Sequence, residues 1–82
     1  MDKILAAINE WDPIGFFPMA PEDEYTNEII KIMEYLNVVP DITEEKLAEK
    51  INKIFIVSFG DDVYVEDMKE CLNVARKIIS SL

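Results

Sequence analysis

The sequence predicts an all-α protein, a compact four-helix domain, and three observations carry that prediction. Apolar residues recur at spacings of three and four in four separate stretches. Residues suited to capping helix N-termini stand before three of them, and prolines and glycines gather between the stretches, not inside them. The helices expected from these patterns cover about residues 2–11, 27–37, 44–59 and 63–81, with an irregular loop over 12–25.

Each element follows from local chemistry. In the first, Ile4, Leu5, Ile8 and Trp11 line one helical face, and Pro13 ends the helix because its ring disfavours helical backbone at the preceding residue, Asp12. Between Asp12 and Tyr25 no period survives, and Pro13, Gly15, Pro18 and Pro21 punctuate a connection that is long for so small a domain. Thr26 is the expected N-cap of the second helix, with Tyr25 and Ile30 as a hydrophobic staple, Glu28 favoured by the helix dipole, and Ile29, Ile30, Met33 and Leu36 as the apolar face. Asn37 and Pro40 end it.

Thr43 is expected to cap the third helix, with Ile42 and Leu47 as staple and Glu44 and Glu45 in the first turn. Leu47, Ile51, Ile54, Phe55 and Ser58 or Phe59 turn inward, and Gly60 is suited to the position just past the end. For the last helix Asp61 or Asp62 is the candidate cap, Val65, Met68, Leu72, Ala75, Ile79 and Leu82 make the stripe, and Arg76 and Lys77 sit near the negative end of the dipole. Ile54 to Phe59 and Val63 to Val65 are β-prone, but the first lies within a continuous helical period and the second is too short to matter alone. Short links between the second, third and fourth helices favour antiparallel neighbours, with the first helix packed across them.

Composition bounds the function. Eighty-two residues, half of them apolar, make one domain, residues 1–82, able to fold without disulfides. Cys71 is the sole cysteine, which suits a reducing compartment, and the cytoplasm is the expected location. The apolar run from Ile4 to Ile8 is too short for a signal peptide, and no stretch approaches the ~18 apolar residues of a membrane span. Seventeen acidic against eight basic residues give a net charge of −9, and the first thirty residues hold a single base, Lys3. Such a field repels nucleic-acid phosphates and anionic lipid, so the expected partner is a basic protein, with no nucleic acid and no membrane. The sequence carries no signal for an oligomeric state.

The residue types also argue against catalysis. With no histidine, the commonest general base and transition-metal ligand is missing, and Gly15 and Gly60, the two glycines, form no phosphate-binding loop. No cofactor is expected. Cys71 reads as a small core residue, since a reactive thiol needs an electropositive setting and Glu66 and Glu70 stand nearby. Tyr35 and Tyr64 read as core or boundary residues.

The remaining candidates lie in the loop. Asp12, Glu22, Asp23, Glu24 and Tyr25 are the expected partner-binding residues, an acidic group beside a ring. The alternative is that the Asp12 and Glu22–Glu24 carboxylates hold a divalent ion, in an accessory protein or an enzyme, although their spacing is not that of a calcium loop. Trp11, Phe16, Phe17 and Tyr25 could anchor an interface, but apolar rings on a loop more often close one end of a bundle.

Trp11-Asp12-Pro13-Ile14, followed by Ala20-Pro21-Glu22-Asp23-Glu24-Tyr25 and an apolar helix, resembles the YugE-like family of small bacterial proteins, a domain of unknown function. The resemblance extends over nearly the whole chain, including Phe59-Gly60, and implies a compact helical fold with no established activity. Related Trp-Asp-Pro domains occur among immunity proteins that neutralise toxins, so the resemblance also implies inhibition by binding, carried over to Asp12, Glu22, Asp23, Glu24 and Tyr25 alone.

Overall fold

The computed structural model describes residues 2–19 and 23–82, so Ala20, Pro21 and Glu22 of the loop motif lie outside the described residues. Four helices form: α1 (Asp2–Trp11), α2 (Thr26–Val38), α3 (Glu44–Phe59) and α4 (Met68–Ser80). Among the described residues there is no strand, and no helix is long and apolar enough to cross a membrane.

Where the helices begin and end depends on the caps. α1 stops as Pro13 requires: the Asp12 N–H still bonds the Ile8 carbonyl at 2.8 Å, but Asp12 itself turns into the left-handed region at φ 45°. α3 matches its expected bounds, with the Thr43 hydroxyl accepting from the Lys46 N–H at 3.2 Å and Gly60, at φ 79°, closing the far end.

Two helix starts differ from the sequence reading. Thr26 is not the cap of α2 but its first residue, and its hydroxyl donates backwards to the Asp23 carbonyl at 2.8 Å. The cap position belongs to Tyr25, which is fully buried, so the anchored ring sets the register of the helix. The buried apolar positions on α2 are consequently Ile29 and Ile32, and the expected staple residue Ile30 is 43% exposed.

α4 begins at Met68, five residues later than expected. Asp67, not Asp61 or Asp62, is its cap, accepting from the Glu70 N–H at 3.2 Å. The three-and-four spacing runs on through Val65, but Tyr64 is the residue of this link that enters the core, which leaves Val63 and Val65 exposed. The buried stripe of α4 is Cys71, Val74, Ala75 and Ile78, while Leu72 and Ile79 lie at its margin and Leu82 is exposed.

The helices pack as a closed ring of neighbours. α3 lies between α2 and α4, and α1 fills the remaining corner against the same two helices. Ring contacts join the end of α1 (Trp11), the start of α2 (Tyr25), the last turns of α3 (Phe55, Phe59) and the link to α4 (Tyr64), so successive helices alternate in direction. The exposed pair of Arg76 with Glu44 at 3.3 Å agrees, setting the end of α4 beside the start of α3. The centre is filled by Ile8, Ile29, Ile32, Leu47, Ile51, Phe55 and Ile78, all without solvent contact. Each contributes about 1.5–3 kcal/mol by leaving water, whereas an exposed ion pair such as Arg76 with Glu44 contributes about 1 kcal/mol at most.

Candidate functional site

The loop after α1 is held by one carboxylate and one phenol. The Asp12 side chain accepts from the Phe16 N–H at 2.9 Å and the Phe17 N–H at 3.1 Å, and the Tyr25 hydroxyl donates to it at 2.6 Å. The same hydroxyl accepts from the Ile14 N–H at 3.1 Å. An aspartate suits this place because it tolerates the left-handed backbone and offers two acceptor oxygens to a turn whose own N–H groups point inward. The bonds explain the spacing of the motif: Trp-Asp-Pro-Ile supplies the acceptor, and the tyrosine thirteen residues later supplies the donor.

The electrostatics agree with a brace. Burial alone would raise the Asp12 carboxyl, but the bonds from Tyr25 and from the Phe16, Phe17 and Gly15 N–H groups outweigh it and hold the carboxyl below the ordinary aspartate value. Burial, and then the bond to that carboxylate, push the Tyr25 phenol well above its ordinary value. At neutral pH the pair is therefore a carboxylate and a neutral phenol, each already engaged.

The rings of the loop close the bundle end. Trp11 meets Phe55 edge-on at 5.2 Å and Tyr64 at 6.1 Å; Phe16 and Phe17 pack on Tyr25 at 5.4 and 5.9 Å; Tyr25 packs in turn on Phe55 and Phe59. Seven of the eight aromatic residues join this one cluster, which favours the capping role of the loop rings over a set of free anchors. Tyr35, the eighth, sits apart at the boundary under the Lys50 ammonium, 5.4 Å from its ring centre.

A second buried polar group braces the link into α4. The Tyr64 hydroxyl donates to Asn52 Oδ1 at 2.8 Å, which leaves the Cys71 thiol as the donor to the phenol oxygen at 3.3 Å. Burial raises the Cys71 thiol, with Asp67, Glu66 and Glu70 adding to that effect and the contact with Tyr64 opposing it. The thiol is enclosed, in keeping with the core position read for it from the sequence.

The expected partner-binding residues thus divide. Asp12 and Tyr25 are brought together, but inward, and Tyr25 has no surface to offer. Asp23 and Glu24 are exposed, Glu22 lies outside the described residues, and Met19, on the other side of the undescribed stretch, is 93% exposed. For a divalent ion, Asp12 has its oxygens occupied, and among the described residues no three acidic or thiol side chains converge. One residue escaped the sequence reading: Glu28, assigned to the helix dipole, is only 6% exposed and lines a depression of about 440 Å³ with Asn27, Ile30, Lys31, Glu34 and Ser58. Its spacing from Ile29 and Ile32, which places it on the inward half of the helix, is the signal that could have found it.

A family model described as Domain of unknown function (DUF1871) matches residues 3–81. The chain belongs to this family. No curated protein and no solved structure matches it. The DUF1871 match takes in α1 from its second residue, the other three helices whole, both halves of the Asp12 to Tyr25 brace and the Tyr64 to Cys71 link.

Proposed function

We propose that this DUF1871 domain is a non-catalytic protein-interaction module that binds a basic protein partner in the manner of an immunity-type inhibitor, working in the cytoplasm. One observation supports this reading above the others. The turn from Asp12 to Phe17 is fixed from within by Asp12 and Tyr25, and Met19, Asp23 and Glu24 beyond it are exposed. A turn fixed before binding limits the entropy lost on docking, and the acids beside it speed the encounter with a basic partner. The net charge of −9 acts in the same direction at longer range. The likeness of the Trp-Asp-Pro-Ile and Pro-Glu-Asp-Glu-Tyr segments to YugE-like proteins, and through them to toxin-neutralising domains, supports the same reading.

Charge reversal tests it. Lysine at Glu22, Asp23 and Glu24 together should slow association with the basic protein recovered from native cells by about tenfold or more at low salt. The reading fails if the triple variant binds each recovered partner at the wild-type rate.

A further inference from the structure

We infer that the groove between α2 and α3 takes the acidic, apolar α3–α4 link of a second copy of this chain, so that the domains associate head to tail. This goes beyond the binding of a basic protein and uses a different surface. Lys31 on α2 and Lys50 on α3 border the groove, Tyr35, Val38 and Ile54 supply its apolar lining, and Glu34 is the one acid beside it. Among the described residues neither ammonium is in an ion pair, those pairs being Arg76 with Glu44 and Lys77 with Glu10; Lys50 lies over the Tyr35 ring instead. Lys46 and Lys53 continue the row of Lys50 along α3 at spacings of four and three. These four are half of the chain's eight basic residues, so in a protein of net charge −9 this is where an acidic segment is repelled least.

The link supplies the complementary segment. Tyr64 turns into the core, which leaves Val63, Val65 and Met68 exposed beside Asp61, Asp62, Glu66 and Asp67. On the groove side Val38 is exposed, as is Val57 in the row of Lys50, so valines meet valines where lysines meet acids. The loop is the weaker match, because its exposed acids Asp23 and Glu24 have only Met19 as an exposed apolar companion among the described residues. A link cannot cover the groove of its own chain. Glu66 accepts from the Asn52 amide at 3.5 Å, and Asn52, two residues after Lys50, lies about 200° further round α3. Link and groove thus stand on opposite sides of that helix, and the contact joins unlike surfaces of two copies, to which further copies can add.

Sedimentation velocity of the whole domain tests this. Between about 10 μM and about 1 mM the wild type should pass from monomer to dimer and larger species, as a weak interface does. Lys31→Glu with Lys50→Glu puts acids on the groove, Asp61→Lys with Asp62→Lys puts bases on the link, and each double variant alone should associate about tenfold more weakly or worse. The link variant moves the net charge toward zero, so its weaker association cannot come from general repulsion. An equimolar mixture of the two should associate again, since the acidic groove of one then meets the basic link of the other and its acidic link meets their basic groove. With no substitution at all, the amide shifts of the labelled wild type that change with concentration should fall on Lys31, Tyr35, Val38 and Lys50 together with Asp62, Val63 and Val65. A wild type still monomeric at about 1 mM, a link variant that associates as the wild type does, a mixture no more associated than its parts, or shifts confined to one of the two surfaces overturns the inference. So does association that is lost in Asp23→Lys with Glu24→Lys but kept in the link variant, which would put the loop in the groove.

Discussion

Replacing Tyr25 by phenylalanine removes one oxygen and leaves the ring packing on Phe16, Phe17, Phe55 and Phe59 in place. That oxygen donates to the Asp12 carboxylate at 2.6 Å and accepts from the Ile14 N–H at 3.1 Å. A hydrogen bond to a charged group contributes about 1.5–3 kcal/mol and a stranded N–H costs about 1 kcal/mol more, so Tyr25→Phe should lose about 2–4 kcal/mol. In a domain of this length each kcal/mol moves Tm by about 4–8 °C, giving a fall on the order of 10–20 °C. Asp12→Asn keeps a residue that accepts the left-handed backbone but turns one acceptor into a donor facing the Phe16 or Phe17 N–H, and should cost a similar amount. Urea unfolding followed by the fluorescence of Trp11, the single tryptophan, measures both. The double variant should show a coupling of about 1.5–3 kcal/mol, because each substitution removes the same bond. Additive losses, or a Tyr25→Phe loss below about 0.5 kcal/mol, would refute the brace.

Four further predictions follow from the same geometry. Trp11→Ala should destabilise by about 3 kcal/mol, the lower part of the range for emptying a large aromatic site, since Trp11 is only half-buried against Phe55 and Tyr64; a melting curve unchanged by the substitution would make Trp11 an exposed anchor. The contribution of Asp12, whose carboxyl is held below 3.8, is complete above that pH and is lost as pH falls through the lower folded value, so acid unfolding should begin at higher pH in Asp12→Asn than in wild type, read by circular dichroism. Tyr25 and Tyr64, raised above 10.0, contribute stability that is complete below that pH and is lost as pH rises beyond it. Cys71 should resist a thiol reagent in the native domain and react in urea, and Tyr64→Phe, by breaking the bonds to Asn52 and Cys71, should cost about 1–2 kcal/mol and speed that reaction.

What could be read from the chain alone was governed by period and punctuation. α1 and α3 are bounded by Pro13, Thr43 and Gly60, residues whose effects are local, and their limits were legible. The starts of α2 and α4 are set by tertiary anchors instead: Tyr25 and Tyr64 enter the core from outside the helical period and drag the register with them, which no local pattern at Thr26 or Val65 reveals. The candidate site shows the same division. Asp12 and Tyr25 were singled out by the motif, but their pairing across thirteen residues is a product of the loop's path, and it moves both from the surface to the interior. Glu28 was missed because an acid in a first helical turn already has an explanation in the dipole, while its burial depends on how α2 lies against the end of α3.

The central claim is that the exposed residues beyond an internally braced turn form a binding face for a basic protein. The most direct measurement is the backbone amide shift map of the labelled domain on adding the partner that co-purifies with it. Met19, Asp23 and Glu24 should move, with Asn52, Tyr64 and Cys71 unchanged. A map centred instead on Glu10, Asn73 and Arg76, in the groove between α1 and α4, with Met19, Asp23 and Glu24 still, would contradict the account.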